Sequence, residues 1–123
     1  MKYWKRSWLQ VNNVEKKTLS LLGLATKAGK IASGEFQTEN AVKDGTAQLV
    51  LVASDASDNT KKLFRDKCSY YGVPVYIYGN KETLGAAIGK EFRASVAILE
   101  EGFAKAVQKK IIEQISQDNN GGK

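Results

Sequence analysis

Residues able to do chemistry are scarce in this chain of 123 residues. It has no histidine, and its single cysteine, Cys68, has no obvious base partner. Asp55, Asp58 and Asp66 do not have the spacing of a paired-carboxylate site or a metal-ligand cluster, and no glycine-rich nucleotide loop follows a strand. Catalysis is therefore not expected, nor is a cofactor or a metal. The informative stretch is Gly34-Glu35-Phe36-Gln37-Thr38-Glu39-Asn40-Ala41-Val42. A glycine opens a predicted helix whose first turns carry polar side chains. A helix N-terminus that a ligand can approach closely is a ready site for phosphate or other anions. In a chain of net charge +6, that chemistry points toward RNA.

The elements that must hold this helix follow from periodicity. The length fits one domain, and a 42% hydrophobic content fits a globular core. Lys2, Lys5 and Arg6 supply half of the positive excess before residue 14, so the remaining body is only mildly basic and RNA binding cannot rest on charge alone. No apolar run approaches the roughly 20 residues of a membrane span. The first residues lack the apolar core of a signal peptide, and a lone cysteine forms no internal disulfide. A cytoplasmic protein is expected. Residues 1–13 read as a tail. It is either a disordered leader, such as an over-long start of the reading frame, or a basic-aromatic arm (Tyr3, Trp4, Trp8) that stacks on nucleic acid; the leader is the simpler reading.

Leu19, Leu22 and Ala25 at helical spacing predict a helix over Glu15 to Ala25. A short strand or extended link follows at Ile31 to Ser33, then a helix from Glu35 to Lys43, stopped by Asp44-Gly45. The apolar run Leu49 to Ala53 reads as a buried strand. A third helix spans Asp58 to Tyr71, with Asp58 or Ser57 as its cap, and Gly72 and Pro74 after it. Val75 to Tyr78 is a strand, Lys81 to Ile88 a short helix capped by Asn80, and Ser95 to Leu99 another buried strand. Gly102 to Ile115 is the last helix, before a polar, frayed end at Gln117 to Lys123. Helix and strand alternate, which predicts an α/β domain over 14–116 with helices on both faces of a small sheet.

From about Val14 to Ile115 the chain resembles the kink-turn-binding ribosomal protein family. That family includes archaeal and eukaryotic large-subunit proteins and small bacterial members. The resemblance rests on Gly34 to Val42, on Leu49-Val50-Leu51-Val52-Ala53-Ser54-Asp55-Ala56, and on Val73-Pro74-Val75-Tyr76 through Leu84-Gly85-Ala86-Ala87-Ile88-Gly89 to Ala94-Ser95-Val96-Ala97-Ile98. Leu21-Leu22-Gly23-Leu24-Ala25 and Asp66-Lys67-Cys68-Ser69-Tyr70-Tyr71 bring it nearest to the bacterial members. The resemblance implies a three-layer α/β/α sandwich around a small mixed four-stranded sheet. It also implies a monomer that recognises a kink-turn, a sharply bent RNA element with tandem sheared G·A pairs. In this scheme the second helix reads those pairs and the loop before the last strand covers a splayed nucleotide. Ordinary A-form RNA hides its major-groove edges, so a bent element that opens the groove suits a helix N-terminus.

Carried over residue by residue, the resemblance gives Gly34 the role of letting RNA approach the backbone, in a helix start shared with Glu35. It gives Gln37 a guanine edge. Phe36 stands where many members have Asn, and Asn40 where most have Lys. An amide can still bond to a base but brings no charge, and Phe36 offers only stacking or apolar contact. Lys90-Glu91-Phe92-Arg93-Ala94 matches the loop over the splayed nucleotide. There Lys90 and Arg93 are placed to meet phosphates, and Phe92 either packs on a base or is a core residue tucked under the loop. Lys27 and Lys30 are expected to flank the same site, and Lys61 to lie at its edge, with a solvated face as the plain alternative. Asp55 is expected to order its own loop. The expected partners are a structured RNA, ribosomal RNA or a riboswitch, with the ribosome or translation factors behind it. The rival is a protein-interaction module of the same fold with weak or nonspecific RNA binding.

Overall fold

The computed structural model describes residues 13–121. Five helices and four strands alternate in the expected order: α1 (Asn13–Lys27), β1 (Ile31–Ser33), α2 (Glu35–Lys43), β2 (Leu49–Val52), α3 (Asp58–Tyr71), β3 (Val75–Ile77), α4 (Lys81–Ala87), β4 (Ser95–Ile98) and α5 (Glu101–Gly121). The reading of residues 1–12 lies outside the described residues, while Asn13 opens α1 instead of closing a tail. The backbone of α5 continues past Ile115 to Gly121, where the polar composition predicts fraying.

The sheet order is β1-β4-β2-β3. β4 runs antiparallel to both neighbours, and β2 and β3 are parallel, which makes the sheet mixed. α2 and α3 pack together on one face; α1, α4 and α5 pack together on the other. The two central strands are buried at every position, as the apolar runs Leu49-Val50-Leu51-Val52 and Val96-Ala97-Ile98 require of strands covered on both faces, and Ser95 is buried with them. Phe64 from α3, Leu22 from α1, Leu84 from α4 and Ile111 from α5 close over them without exposure. The amphipathic faces of four helices are thereby used up on one core. On the outer side, Tyr78 donates its hydroxyl proton to Gln114 Oε1 at 2.6 Å, and Gln108 Nε2 donates to the Tyr76 hydroxyl at 3.0 Å; both bonds clip α5 over β3.

The third helix shows how local chemistry fixes an end. Ser57, in extended backbone, accepts the Thr60 N–H at 3.1 Å, and Gly72 closes the other end in the left-handed region. Ser57, not Asp58, is the cap. Ser57→Ala is expected to lower unfolding free energy by about 1 kcal/mol, measured by urea denaturation. On the buried side of the same helix, burial pushes the Cys68 thiol up to about 11. The thiolate is the nucleophile, so Cys68 is expected to resist iodoacetamide at neutral pH until the protein is denatured. The unfolded thiol ionises first, so stability should also fall between about pH 9 and about pH 11.

Candidate nucleic-acid interface

The C-terminal ends of β1, β2 and β3 and the start of β4 meet at one end of the sheet. Ser33 pairs with Val96, and Val52 lies between Ser95 and Ile77. Four segments leave from there: Gly34 into α2, residues 53–57 into α3, residues 78–80 into α4, and residues 88–94 into β4. Three helices thus present their N-termini, with their partial positive charge, at the same end.

Hydrogen bonds fasten these segments to one another. Gly34 N–H donates to the Ser95 carbonyl at 3.0 Å, and Ala53 N–H to the Ala94 carbonyl at 2.9 Å. Ser54 N–H donates to the Gly79 carbonyl at 2.9 Å, and Arg93 N–H to the Lys81 carbonyl at 3.1 Å. Side chains complete the frame. The Thr60 hydroxyl donates to Glu35 Oε1 at 3.2 Å, which joins the start of α3 to the start of α2. Asp55 Oδ1 accepts the Lys81 N–H at 2.9 Å, so Asp55 does order its neighbourhood, across to α4. Arg93 donates from Nε to Ser33 Oγ at 3.2 Å and from Nη1 to the Phe92 carbonyl at 2.8 Å.

Two glycines shape this end for different reasons. Gly34 has φ 89° and ψ 156°, a conformation that is almost exclusive to glycine, and a β-carbon added there would meet nothing within 4 Å. The residue is required by the backbone turn, and the space above it is open to an approaching ligand. Gly85, in the interior of α4, is required by contact. A β-carbon there would stand 2.3 Å from the Glu91 carbonyl oxygen and 3.0 Å from the Phe92 nitrogen. The loop backbone rests directly on α4 at this point.

The polar face of α2 is exposed. Glu35, Phe36, Gln37 and Asn40 face solvent, while Thr38, Ala41 and Val42 are buried against the sheet. Phe36 and Asn40 are one helical turn apart, so they share a stripe with Gln37. Phe36 is 73% exposed. Phe92 is 61% exposed, which rules out the alternative that it is a core residue under its loop. It borders an open groove with Asp55, Asn80, Lys81 and Glu82. Lys90 is exposed on the same loop, Ala94 and Arg93 are partly buried, and Lys61 is partly buried in the first turn of α3.

Two expected site residues are elsewhere. Lys27 and Lys30 precede β1, and the strand carries the chain about 10 Å away before Gly34 is reached. Lys30 is hydrogen-bonded through its carbonyl to Leu99 N–H at the opposite end of the sheet. There it neighbours Glu100, whose carboxyl lies below the usual carboxylate range because Phe103 and Gly102 N–H donate to it, with a smaller contribution from the Lys30 charge. Lys27 and Lys30 therefore do not flank the α2 N-terminus. Arg93 is also less free than expected, since two of its N–H groups already hold Ser33 and the Phe92 carbonyl. Sequence reasoning missed Ser33, Thr60, Lys81 and Gly85. Only Gly85 left a trace, as a glycine placed where a helix would otherwise favour alanine.

The charges at this end nearly balance. Lys61, Lys81, Lys90 and Arg93 are offset by Glu35, Asp55, Asp58, Glu82 and Glu91. Among the described residues no cluster of His, Cys, Asp or Glu is placed to hold a metal ion, and no helix is long and apolar enough to cross a membrane.

Known proteins share the sequence and the fold of this chain. A protein called RNA-binding protein YlxQ from Bacillus subtilis (strain 168) is 46% identical over 84 residues, which cover 68% of this chain and 84% of that protein. Its namesake in Enterococcus faecium is 42% identical over 95 residues, covering 77% and 91%. Among solved structures, the Giardia lamblia 15.5kD RNA binding protein superposes with a TM-score of 0.70 at 22% identity, covering 84% of this chain and 88% of that one, and so shares the fold. The model of the ribosomal protein L7Ae/L30e/S12e/Gadd45 family matches residues 16–108, and the chain is a member of that family.

Proposed function

We propose that this protein is a non-catalytic, cytoplasmic RNA-binding protein that recognises and stabilises a kink-turn or similarly bent RNA, in ribosomal RNA or a riboswitch. The observation that carries this reading is the convergence of the exposed Phe36-Gln37-Asn40 face of α2, the open backbone at Gly34 and the Phe92 loop at one end of the sheet. A bent RNA offers base edges, phosphate and an unstacked base within one footprint, and this end offers an amide face, helix N-termini and an aromatic ring. The protein acts by binding the bent conformer in preference to the extended one, which shifts the RNA population without any reaction. The naming of the matched relatives as RNA-binding proteins supports the same reading.

Nuclear magnetic resonance mapping tests the footprint. On addition of a kink-turn RNA, backbone amides of 33–40 and 89–94 should shift, and those of 27–30 should not. The electrostatics give a further expectation. Lys61, Lys81, Lys90 and the uncommitted part of Arg93 are the cations at this end, so log Kd against log salt should have a slope of only about 3. A second reading, a protein partner on the same face, draws on the balanced charge and the two exposed phenylalanines. It would be favoured if no RNA moved the 33–40 amides.

A further inference from the structure

We infer that Phe36 is a second base-stacking surface beside Phe92, and that this residue selects an RNA presenting two unpaired bases at this end of the protein. The inference rests on the RNA-binding reading and narrows it to a substrate class. Phe36 and Phe92 are the exposed aromatic side chains at this end of the sheet among the described residues, at 73% and 61%. Both are mounted on fixed backbone. Phe36 sits in the first turn of α2, whose entry is held by the Gly34 N–H bond to Ser95 and by Glu35 accepting from Thr60. Phe92 sits on a loop pressed against Gly85 and tied through the Arg93 N–H to Lys81. The two mounts are linked, because the Arg93 guanidinium holds both the Phe92 carbonyl and the Ser33 hydroxyl just before Gly34.

A phenyl ring has neither donor nor acceptor, so Phe36 can read no base edge. What it can bind is the face of a base, and that face must be free of its own stack. The charge balance argues in the same direction. With Glu35, Asp55, Asp58, Glu82 and Glu91 facing Lys61, Lys81, Lys90 and Arg93, phosphate attraction at this end is weak. Affinity must come from contacts that do not depend on charge, and base stacking on an aromatic ring is such a contact. A backbone held before the ligand arrives loses little freedom on binding, which favours stacking further.

The test uses the full chain and a kink-turn RNA in two forms: intact, and with the splayed nucleotide and its unpaired neighbour replaced by abasic residues. Wild type, Phe36→Leu and Phe36→Asn are titrated against both, with circular dichroism and melting curves to confirm that each variant is folded. Removing a base or its ring is expected to weaken binding roughly five- to hundred-fold per contact. The inference predicts that wild type loses affinity for the abasic RNA and that Phe36→Leu loses affinity for the intact RNA. It also predicts that Phe36→Leu is less sensitive than wild type to the abasic change. If wild type binds both RNAs alike, or if Phe36→Asn binds the intact RNA more tightly, the stacking role is wrong while RNA binding stands. If the wild-type protein binds neither RNA at micromolar concentration, the RNA reading itself fails, and this inference with it.

Discussion

Gly85→Ala is expected to destabilise the fold by about 1–3 kcal/mol and to displace the loop that carries Phe92. The added methyl would lie 2.3 Å from the Glu91 carbonyl oxygen and 2.7 Å from its carbon, both backbone atoms that cannot turn aside as a side-chain end would. Overpacking of this kind is relieved by backbone shifts of the kind that cost this much. The helix alone would welcome alanine, since glycine in a helix interior is less favourable by about 1 kcal/mol. The measured sign therefore decides between the two effects: a lower melting temperature supports the close contact, and a higher one means that the loop does not rest on α4. The same substitution should weaken RNA binding more than the loss of stability explains, because Arg93 and Phe92 move with the loop.

Gly34→Val is the second large effect. A β-branched residue would be forced to φ 89° and ψ 156°, at a strain of about 1–3 kcal/mol. Its β-carbon would meet none of the described residues within 4 Å, so this strain is conformational. Relaxing that strain would change the direction in which α2 leaves β1, and the Gly34 N–H bond to Ser95 would lengthen or break. On the RNA reading, the valine side chain would also occupy the open space above the α2 N-terminus. Affinity for a kink-turn RNA should fall at least ten-fold, by roughly 1.4 kcal/mol or more, while chemical denaturation reports the stability change separately.

Much of the fold was legible because its patterns are local. Leu49 to Val52 and Val96 to Ile98 are uninterrupted apolar runs, and both are central strands buried on two faces. Asp44-Gly45 stops α2 where expected, and Gly72 with Pro74 ends α3. Helix ends were less legible. Asn13 begins α1 and Gly121 ends α5, both beyond the apolar stripe from which each helix was read. The site was legible only in part. The Gly34 to Asn40 face could be read because helical spacing places it on one turn. Lys27 and Lys30 could not be placed, since closeness to Gly34 in sequence conceals a strand that runs from one end of the sheet to the other. Ser33, Thr60 and Lys81 could not be found at all. Their partners Arg93, Glu35 and Asp55 are 25 or more residues away in sequence, and only the topology brings them together. The second task of Arg93 was hidden for the same reason. Its guanidinium is used to brace two segments.

The most direct measurement is a binding titration of the full chain against a standard kink-turn RNA, with a duplex lacking the G·A pairs as control, at two salt concentrations. Tight binding to the kink-turn, weak binding to the duplex and a shallow salt dependence that reflects the balanced charge beside α2 are expected. Equal binding to both RNAs with a steep salt dependence would contradict kink-turn recognition and leave only nonspecific attraction to the basic chain. Absence of binding to either RNA would contradict it more deeply and turn the same exposed face toward a protein partner.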